Sequence, residues 1–169
     1  MMNAVGSDGQ RKHIMYVDRL SMMYRDRKLV VSAIRRHNSI QHAVNLLSQY
    51  RNIGQFVAYE FATDLTYTSI LSRADDLYTW ANPGPGASRG LCRLLGRPVK
   101  LNMKAEEAVP YMQTLLSCIS RDVPASFWGR RLTMRDIEHS LCEFDKYERV
   151  RLGEGRPRAK FRKGKGKEK

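Results

Sequence analysis

The sequence predicts an all-α fold, and three observations predict it. Apolar residues recur at three- and four-residue intervals in segment after segment. Strict alternation of apolar and polar residues, the mark of a half-buried strand, is weak even where β-branched and aromatic residues gather. Thr133 followed by Asp136 opens the last periodic segment as a capping-box-like pair. With 169 residues, 42% of them hydrophobic, the chain builds one core and has no room for a second independent domain.

Residues 1–13 read as a loose start. Over 15–36, Tyr16, Leu20, Met23, Tyr24, Leu29, Val30 and Ile34 keep helical spacing, enough for one or two amphipathic helices. A shorter helix over 40–50 uses Ala43, Val44, Leu46 and Leu47, and the next, over 55–65, is aromatic and apolar enough to be central and buried. The β-branched and aromatic residues of 66–80 lack alternation and read mostly as loop. Three more helices are predicted over 87–95, 104–120 and 133–150. In the last, Ile137, Leu141 and Phe144 form the apolar stripe, which leaves Glu143, Asp145, Lys146 and Arg149 on the flanks, with Asp145 spaced to pair with Arg149 and Glu143 with Lys146. A single helical domain over 14–152 is therefore followed by residues 153–169, whose Gly- and Lys-rich end reads as a disordered basic tail.

The chain carries 30 Lys+Arg against 17 Asp+Glu, a net charge of +13 that points to a polyanionic partner, DNA or RNA before a membrane. Residues 146–169 hold 11 of the basic and 3 of the acidic residues, so most of the excess is terminal. No apolar run approaches the roughly 18 residues that span a bilayer, and the first residues lack the apolar core of a signal peptide. The expected location is intracellular and cytoplasmic, with reduced thiols and no membrane partner. Cys92, Cys118 and Cys142 are too far apart to form a CxxC-type ligand pair, so no metal is expected.

Two stretches carry the chemistry. The run "AVNLLSQYRNIGQFVAYEFATDL" reads as helix, tight turn, helix, near residues 43–65, with Ile53 plugging the corner. Asn52 tolerates a left-handed backbone, and Gly54 lets the chain approach another surface. This pattern resembles the helix-hairpin-helix motif of DNA-binding proteins, base-excision glycosylases included, in which N–H groups at a helix start face a DNA phosphate. The stretch "WANPGPGASRGLCRLLGR" follows. Gly84 and Gly86 free the backbone at the start of a helix on which Arg89 and Arg93 stand one turn apart, so it forms either a phosphate site or a plain chain reversal. Two registers place the catalytic carboxylate of helical glycosylases: one near Asp75 and Asp76, the other inside residues 83–86, where no carboxylate stands.

"YRNIGQFVAYEFATDL", "PGPGASRGLCRLLGR" and "LCEFDKYERVRLGEGRPR" together resemble the helical domain associated with the 5-hydroxymethyluracil DNA kinases of bacteriophages. That family belongs to a wider group of DNA hypermodification proteins with relatives described as amino acid:DNA transferases or thymine pyrophosphorylases. The resemblance implies a glycosylase-like helical fold acting on thymine-derived bases in DNA, within a bacterial host. Matching by motif, it carries over Asp76, Thr79, Trp80, Gly84, Pro85, Gly86, Arg89, Gly90, Arg93, Cys142, Glu143, Phe144, Asp145, Lys146, Tyr147, Glu148 and Arg149. The chain contains no GxxxxGK[ST] pattern, so a nucleotide phosphate donor would come with a separate kinase or transferase subunit. About 40 residues precede the hairpin, fewer than is usual in the family, which fits a truncated or split member.

The expected function is thymine hypermodification. A base flipped from the duplex would stack on Trp80 or Tyr78. Asp76, Glu143 or Asp145 would act as general base, and Asn52, Gly54, Gly84, Gly86, Arg89, Arg93, Lys146 and Arg149 would hold DNA or phosphate. The alternative is a non-catalytic DNA-binding subunit that delivers a partner enzyme. Convergence of Asp76, Arg89 and Glu143 on one pocket would favour the enzyme, and their separation would favour the binding subunit.

Overall fold

The computed structural model describes residues 12–99 and 103–155, and the expectations for the N-terminal arm and for most of the basic tail lie outside them. Those residues form seven helices and no strand: α1 (Lys12–His37), α2 (Ile40–Leu47), α3 (Gln55–Leu65), α4 (Pro85–Leu94), α5 (Ala105–Asp122), α6 (Ala125–Trp128) and α7 (Met134–Arg151). None of the helices is long and apolar enough to cross a membrane.

α1 is one continuous helix, and its apolar residues are not all core: Ile34 is buried, whereas Tyr16, Val17, Leu20, Tyr24 and Leu29 are exposed. It ends at Asn38, whose backbone is left-handed (φ 45°). Ser39 then caps α2, accepting from the His42 N–H at 3.1 Å. α2 and α3 pack as a helical pair around Val44, Leu47, Ala58 and Ala62, with Ile53 buried in the corner. α2 stops at Leu47, before the expected residue 50, because residues 48–53 turn back through Ile53 N–H to Tyr50 O.

Residues 66–84 are turns and irregular chain, held by long-range bonds that sequence spacing does not reveal. Asn38 donates to Arg73 O and Asp75, Asp75 N–H returns to Asn38 O, and Met134 N–H at the start of α7 donates to Leu77 O. α7 begins where the capping box places it: Thr133 and Asp136 exchange side-chain and backbone bonds.

The closest packing in the molecule joins α4 to α7. A Cβ on Gly90 would lie 2.1 Å from the Leu141 carbonyl oxygen, and one on Gly86 would lie 2.6 Å from Cys142 Sγ. Only hydrogen fits at these two positions, one turn apart on the same face of α4. α5 also packs against α7, and Arg97, just past α4, reaches Glu107 and Tyr111 on α5.

Candidate functional site

The turn between α2 and α3 has the expected backbone. Asn52 is left-handed (φ 63°), and Gly54 is the N-cap of α3 with an ordinary φ of −75°. A Cβ on Gly54 would meet nothing within 4 Å, so neither conformation nor internal packing requires glycine there. The Asn52 side-chain amide faces the guanidinium of Arg19, a nearly buried residue of α1. Asn52 therefore ties α1 to the turn.

The start of α4 differs from the expectation. Its N-cap, Gly84, donates its N–H to Glu138 Oε1 at 3.4 Å, so α7 supplies a carboxyl group to this helix terminus from within the protein. Gly86 serves the close approach of α7 described above. Arg89 donates from Nε and Nη2 to Asp145 Oδ2 at 2.9 and 2.7 Å. Arg93 donates from Nε to Asp145 Oδ1 at 3.0 Å and from Nη2 to Glu154. The four residues expected to cradle an external phosphate thus engage α7 and the chain just after it.

Asp145 is not on the outer face of α7 but fully buried, and it pairs with the arginines of α4 instead of Arg149. Burial alone would raise its pKa, but the hydrogen bonds from Arg89 and Arg93 outweigh that and hold the carboxyl below its ordinary range. Arg149 lies against Gly155, and its carbonyl accepts from the Glu154 N–H. Glu143 and Lys146 pair at 2.5 Å on the exposed side, as their spacing predicts. Phe144 is half-buried, and the buried stripe of α7 runs instead through Met134, Ile137, Glu138, Leu141 and Asp145.

Asp76 belongs to a different part of the fold. Its carboxylate accepts from Ser39 Oγ (2.7 Å), Ile40 N–H (2.8 Å) and Gln41 N–H (2.9 Å), which fills the N-terminus of α2. Tyr78 lies under the guanidinium of Arg131, 4.1 Å from its ring centre. Trp80 is half-buried, edge-on to Tyr59 at 5.9 Å. Asp76, Arg89 and Glu143 therefore each engage a different part of the fold: the start of α2, Asp145 and Lys146.

Sequence reasoning passed over Glu138 and Tyr59. Both are buried, at 6% and 2% exposure. Burial, with the neighbouring charge of Glu60, pushes the Glu138 carboxyl up to about 7 against the opposing Gly84 N–H, Arg135 and Lys146. Burial, with the charge of Glu138, likewise pushes up the Tyr59 phenol. A usable signal was present in the sequence: Glu138 stands one turn from both Met134 and Leu141, on the apolar stripe where a carboxylate is costly unless something answers it.

The family model described as "5-hmdU DNA kinase, helical domain" matches residues 1–156. No curated protein and no solved structure matches the chain. A helical fold with a match over nearly the whole chain settles the kinship: the protein belongs to the 5-hmdU DNA kinase helical-domain family, and its role falls within DNA thymine modification.

Proposed function

We propose that the chain is the DNA-engaging, base-recognising helical domain of a 5-hydroxymethyluracil modification system of the kinase or transferase class, with DNA held at the α2–α3 turn and the phosphate donor, a nucleotide, brought by a partner. Gly54 is the observation that carries this reading. Among the described residues nothing uses its missing side chain, yet it sits at a helix N-terminus, where a bare backbone suits the approach of a phosphate. The left-handed Asn52 beside it and the strongly basic balance support a helix-hairpin-helix type of contact.

Gly54→Val tests it. A branched side chain meets no neighbour at this open position and costs the fold only a weaker N-cap, on the order of 1 kcal/mol, but it blocks a phosphate. A charge-assisted contact is worth roughly 1.5–3 kcal/mol, so affinity per folded molecule for a duplex containing 5-hydroxymethyluracil should fall on the order of tenfold or more. Equal affinity in the variant would remove the turn from the interface.

A second reading, a catalytically inert subunit that delivers a partner enzyme, is favoured by the dispersal of Asp76, Asp145 and Glu143 over three separate contacts. Incubation with ATP and 5-hydroxymethyluracil DNA, followed by nucleoside mass spectrometry, tests the inert reading. Phosphorylated nucleoside made by the chain alone would establish autonomous catalysis and end the inert reading.

A further inference from the structure

The chain over 66–84, α6 and the start of α7 bring together aromatic rings and guanidinium groups that neither the α2–α3 turn nor the Asp145 ion pairs use. Phe127 and Trp128 of α6 are 72% and 46% exposed, with their rings edge to face at 4.9 Å. Pro124 caps this short helix at its start and the left-handed Gly129 (φ 69°) at its end, so the two rings are carried on a tightly bounded turn. Tyr67 is 69% exposed, and Tyr78 also reaches the surface. The Arg131 guanidinium lies 4.1 Å from the centre of the Tyr78 ring, and that of Arg135 lies 5.0 Å from the centre of the Tyr67 ring and donates to its hydroxyl. Both contacts are made from residues 130–135, where Arg130 is tied to Asp136 in the first turn of α7. Arg130 is thus answered by Asp136, and Arg135 faces Asp64 at 4.0 Å, whereas no carboxylate among the described residues pairs with Arg131. Trp128 and Arg131 line one cavity of about 220 Å³ with Ser120, Val123 and Leu132.

A single exposed ring needs no explanation, but four of them interleaved with arginines mark a surface that something covers. The cavity is smaller than the roughly 300 Å³ at which sites for whole small ligands begin, so it takes an inserted ring and not a nucleotide with its phosphates. A protein interface gathers its aromatic anchors in a desolvated central pocket, whereas here two of the four rings stand more than two-thirds in solvent. Open ring faces beside a cation suit a strand of nucleic acid, because every base has a π-face and the phosphates between bases answer the charge. The same chain over 66–84 reaches the start of α3, where Asn82 donates to the Gln55 carbonyl at 3.5 Å. Tyr78 is four residues from that contact, at most about 14 Å of extended chain, so one DNA molecule reaches both the surface and the Gly54 turn.

We propose that Tyr67, Tyr78, Phe127, Trp128 and Arg131 form a stacking platform for the unpaired bases of single-stranded DNA. The platform rests on the reading of the chain as DNA-engaging and goes beyond it: the Gly54 turn addresses the phosphates of a duplex, and this surface addresses bases that have left one. Phe127 and Tyr67 offer open ring faces, Arg131 offers the second face of a guanidinium already stacked on Tyr78, and the cavity beside Trp128 receives an inserted ring. Binding of this kind tolerates any sequence.

The experiment is a fluorescence-anisotropy titration of the full chain with labelled single strands of about 12 nucleotides, within the usual span of such sites. The probes are oligothymidine, oligodeoxycytidine and an abasic strand of the same length, which keeps the phosphates and lacks the bases. The two base-bearing strands should bind within roughly fivefold of each other and about tenfold or more tighter than the abasic strand. Phe127→Ala and Tyr67→Ala should each weaken the base-bearing strands roughly fivefold or more, with the abasic strand and the melting temperature unchanged, and Phe127→Trp should keep parental affinity. Arg131→Lys should lose part of the affinity, since it keeps the charge without the planar face. Equal affinity for the abasic strand, or indifference to both alanine substitutions, overturns the platform. Absence of saturable binding to the base-bearing strands also overturns it and leaves the surface to a protein partner. Gly54→Val keeps the two readings apart. If it governs duplex affinity while single strands bind no better than the abasic one, the platform falls and the DNA turn stands. If single strands depend on Phe127 and Tyr67 while duplex affinity is indifferent to Gly54→Val, the turn falls and the platform stands.

Discussion

Replacing Asp145 with alanine strands two guanidinium groups, because one fully buried carboxylate answers both Arg89 and Arg93. The two cations share the loss unequally. Arg93, its side chain only 8% exposed, keeps Glu154, whereas Arg89, at 34%, can turn toward water. Breaking a buried pair from one side costs ~3–5 kcal/mol, and the partial exposure of Arg89 places the expectation at the low end, about 3 kcal/mol. For a chain of this size each kcal/mol moves the melting temperature by roughly 2–4 °C, so Asp145→Ala should melt roughly 6–12 °C lower. Arg89→Ala leaves Arg93 on Asp145 and should cost about half as much. Calorimetry supplies the melting temperatures, and fluorescence anisotropy on duplex DNA, normalised to the folded fraction, supplies the affinities. Both variants should bind like the parent per folded molecule. The pH dependence has a definite sign: a carboxyl held below its unfolded value stabilises at higher pH and loses that contribution as pH falls through its folded value. The parent's advantage over Asp145→Ala should therefore shrink only once pH drops below the ordinary 3.8. A melting temperature within about 2 °C of the parent's, combined with a tenfold or greater loss of DNA affinity, would refute the bracing role and return these arginines to the phosphate interface.

Gly90→Ala puts a methyl group where the Leu141 carbonyl oxygen stands 2.1 Å away, so α7 must retreat along its closest contact. The cost should be ~1–3 kcal/mol or more, read as a lower urea midpoint, and an unchanged midpoint would show that the two helices are not so tightly joined. Glu138→Gln should flatten the pH dependence of stability in the opposite sense to Asp145. A carboxyl raised to about 7 from an ordinary 4.5 holds its proton in the folded state after the unfolded chain has lost it, so parental stability declines as pH rises between those values and then levels. Glu60, Arg135, His139, Lys146 and Tyr59 all face it, and their charges shape the midpoint. At pH 8 the glutamine variant should be the more stable by something on the order of 1–3 kcal/mol, and parallel pH profiles would remove the buried carboxyl as the cause.

What was legible in the sequence was what local chemistry decides. α3 occupies the residues its periodicity marked, and α7 starts at the Thr133–Asp136 box, because both signals lie within one or two turns of chain. α6, four residues long, is too short to show a period. Partner choice was hidden wherever the partner is distant. Asp145 had Arg149 four positions away and joins arginines 52 and 56 positions away, because its side of α7 faces the glycine-lined side of α4. Asp76 had the reported appearance of a catalytic carboxylate and caps a helix some 36 positions earlier in the chain. In α1 the period marked the helix, but regular apolar spacing does not establish that anything covers it, and Tyr16, Val17, Leu20, Tyr24 and Leu29 stay exposed.

Internal pairing of the α4 arginines also moves the charge available to a polyanion. Arg89, Arg93 and Arg97 are answered by Asp145, Glu154 and Glu107, so the α4 end of the molecule offers little unbalanced positive potential. The exposed cations Arg25, Arg27, Lys28, Arg35 and Arg36 stand on α1, which carries only Asp18 and Asp26 in return. Through Arg19 the same helix touches Asn52, two residues from Gly54. Charges within about 8–10 Å of a phosphate act on it at physiological salt, so a duplex seated on the Gly54 turn would come within reach of the cations of α1. On the proposed reading, then, the helical domain divides the labour: α1 and the turn meet the backbone of DNA, while α4 and α7 use their charges on each other and on the chain just after α7.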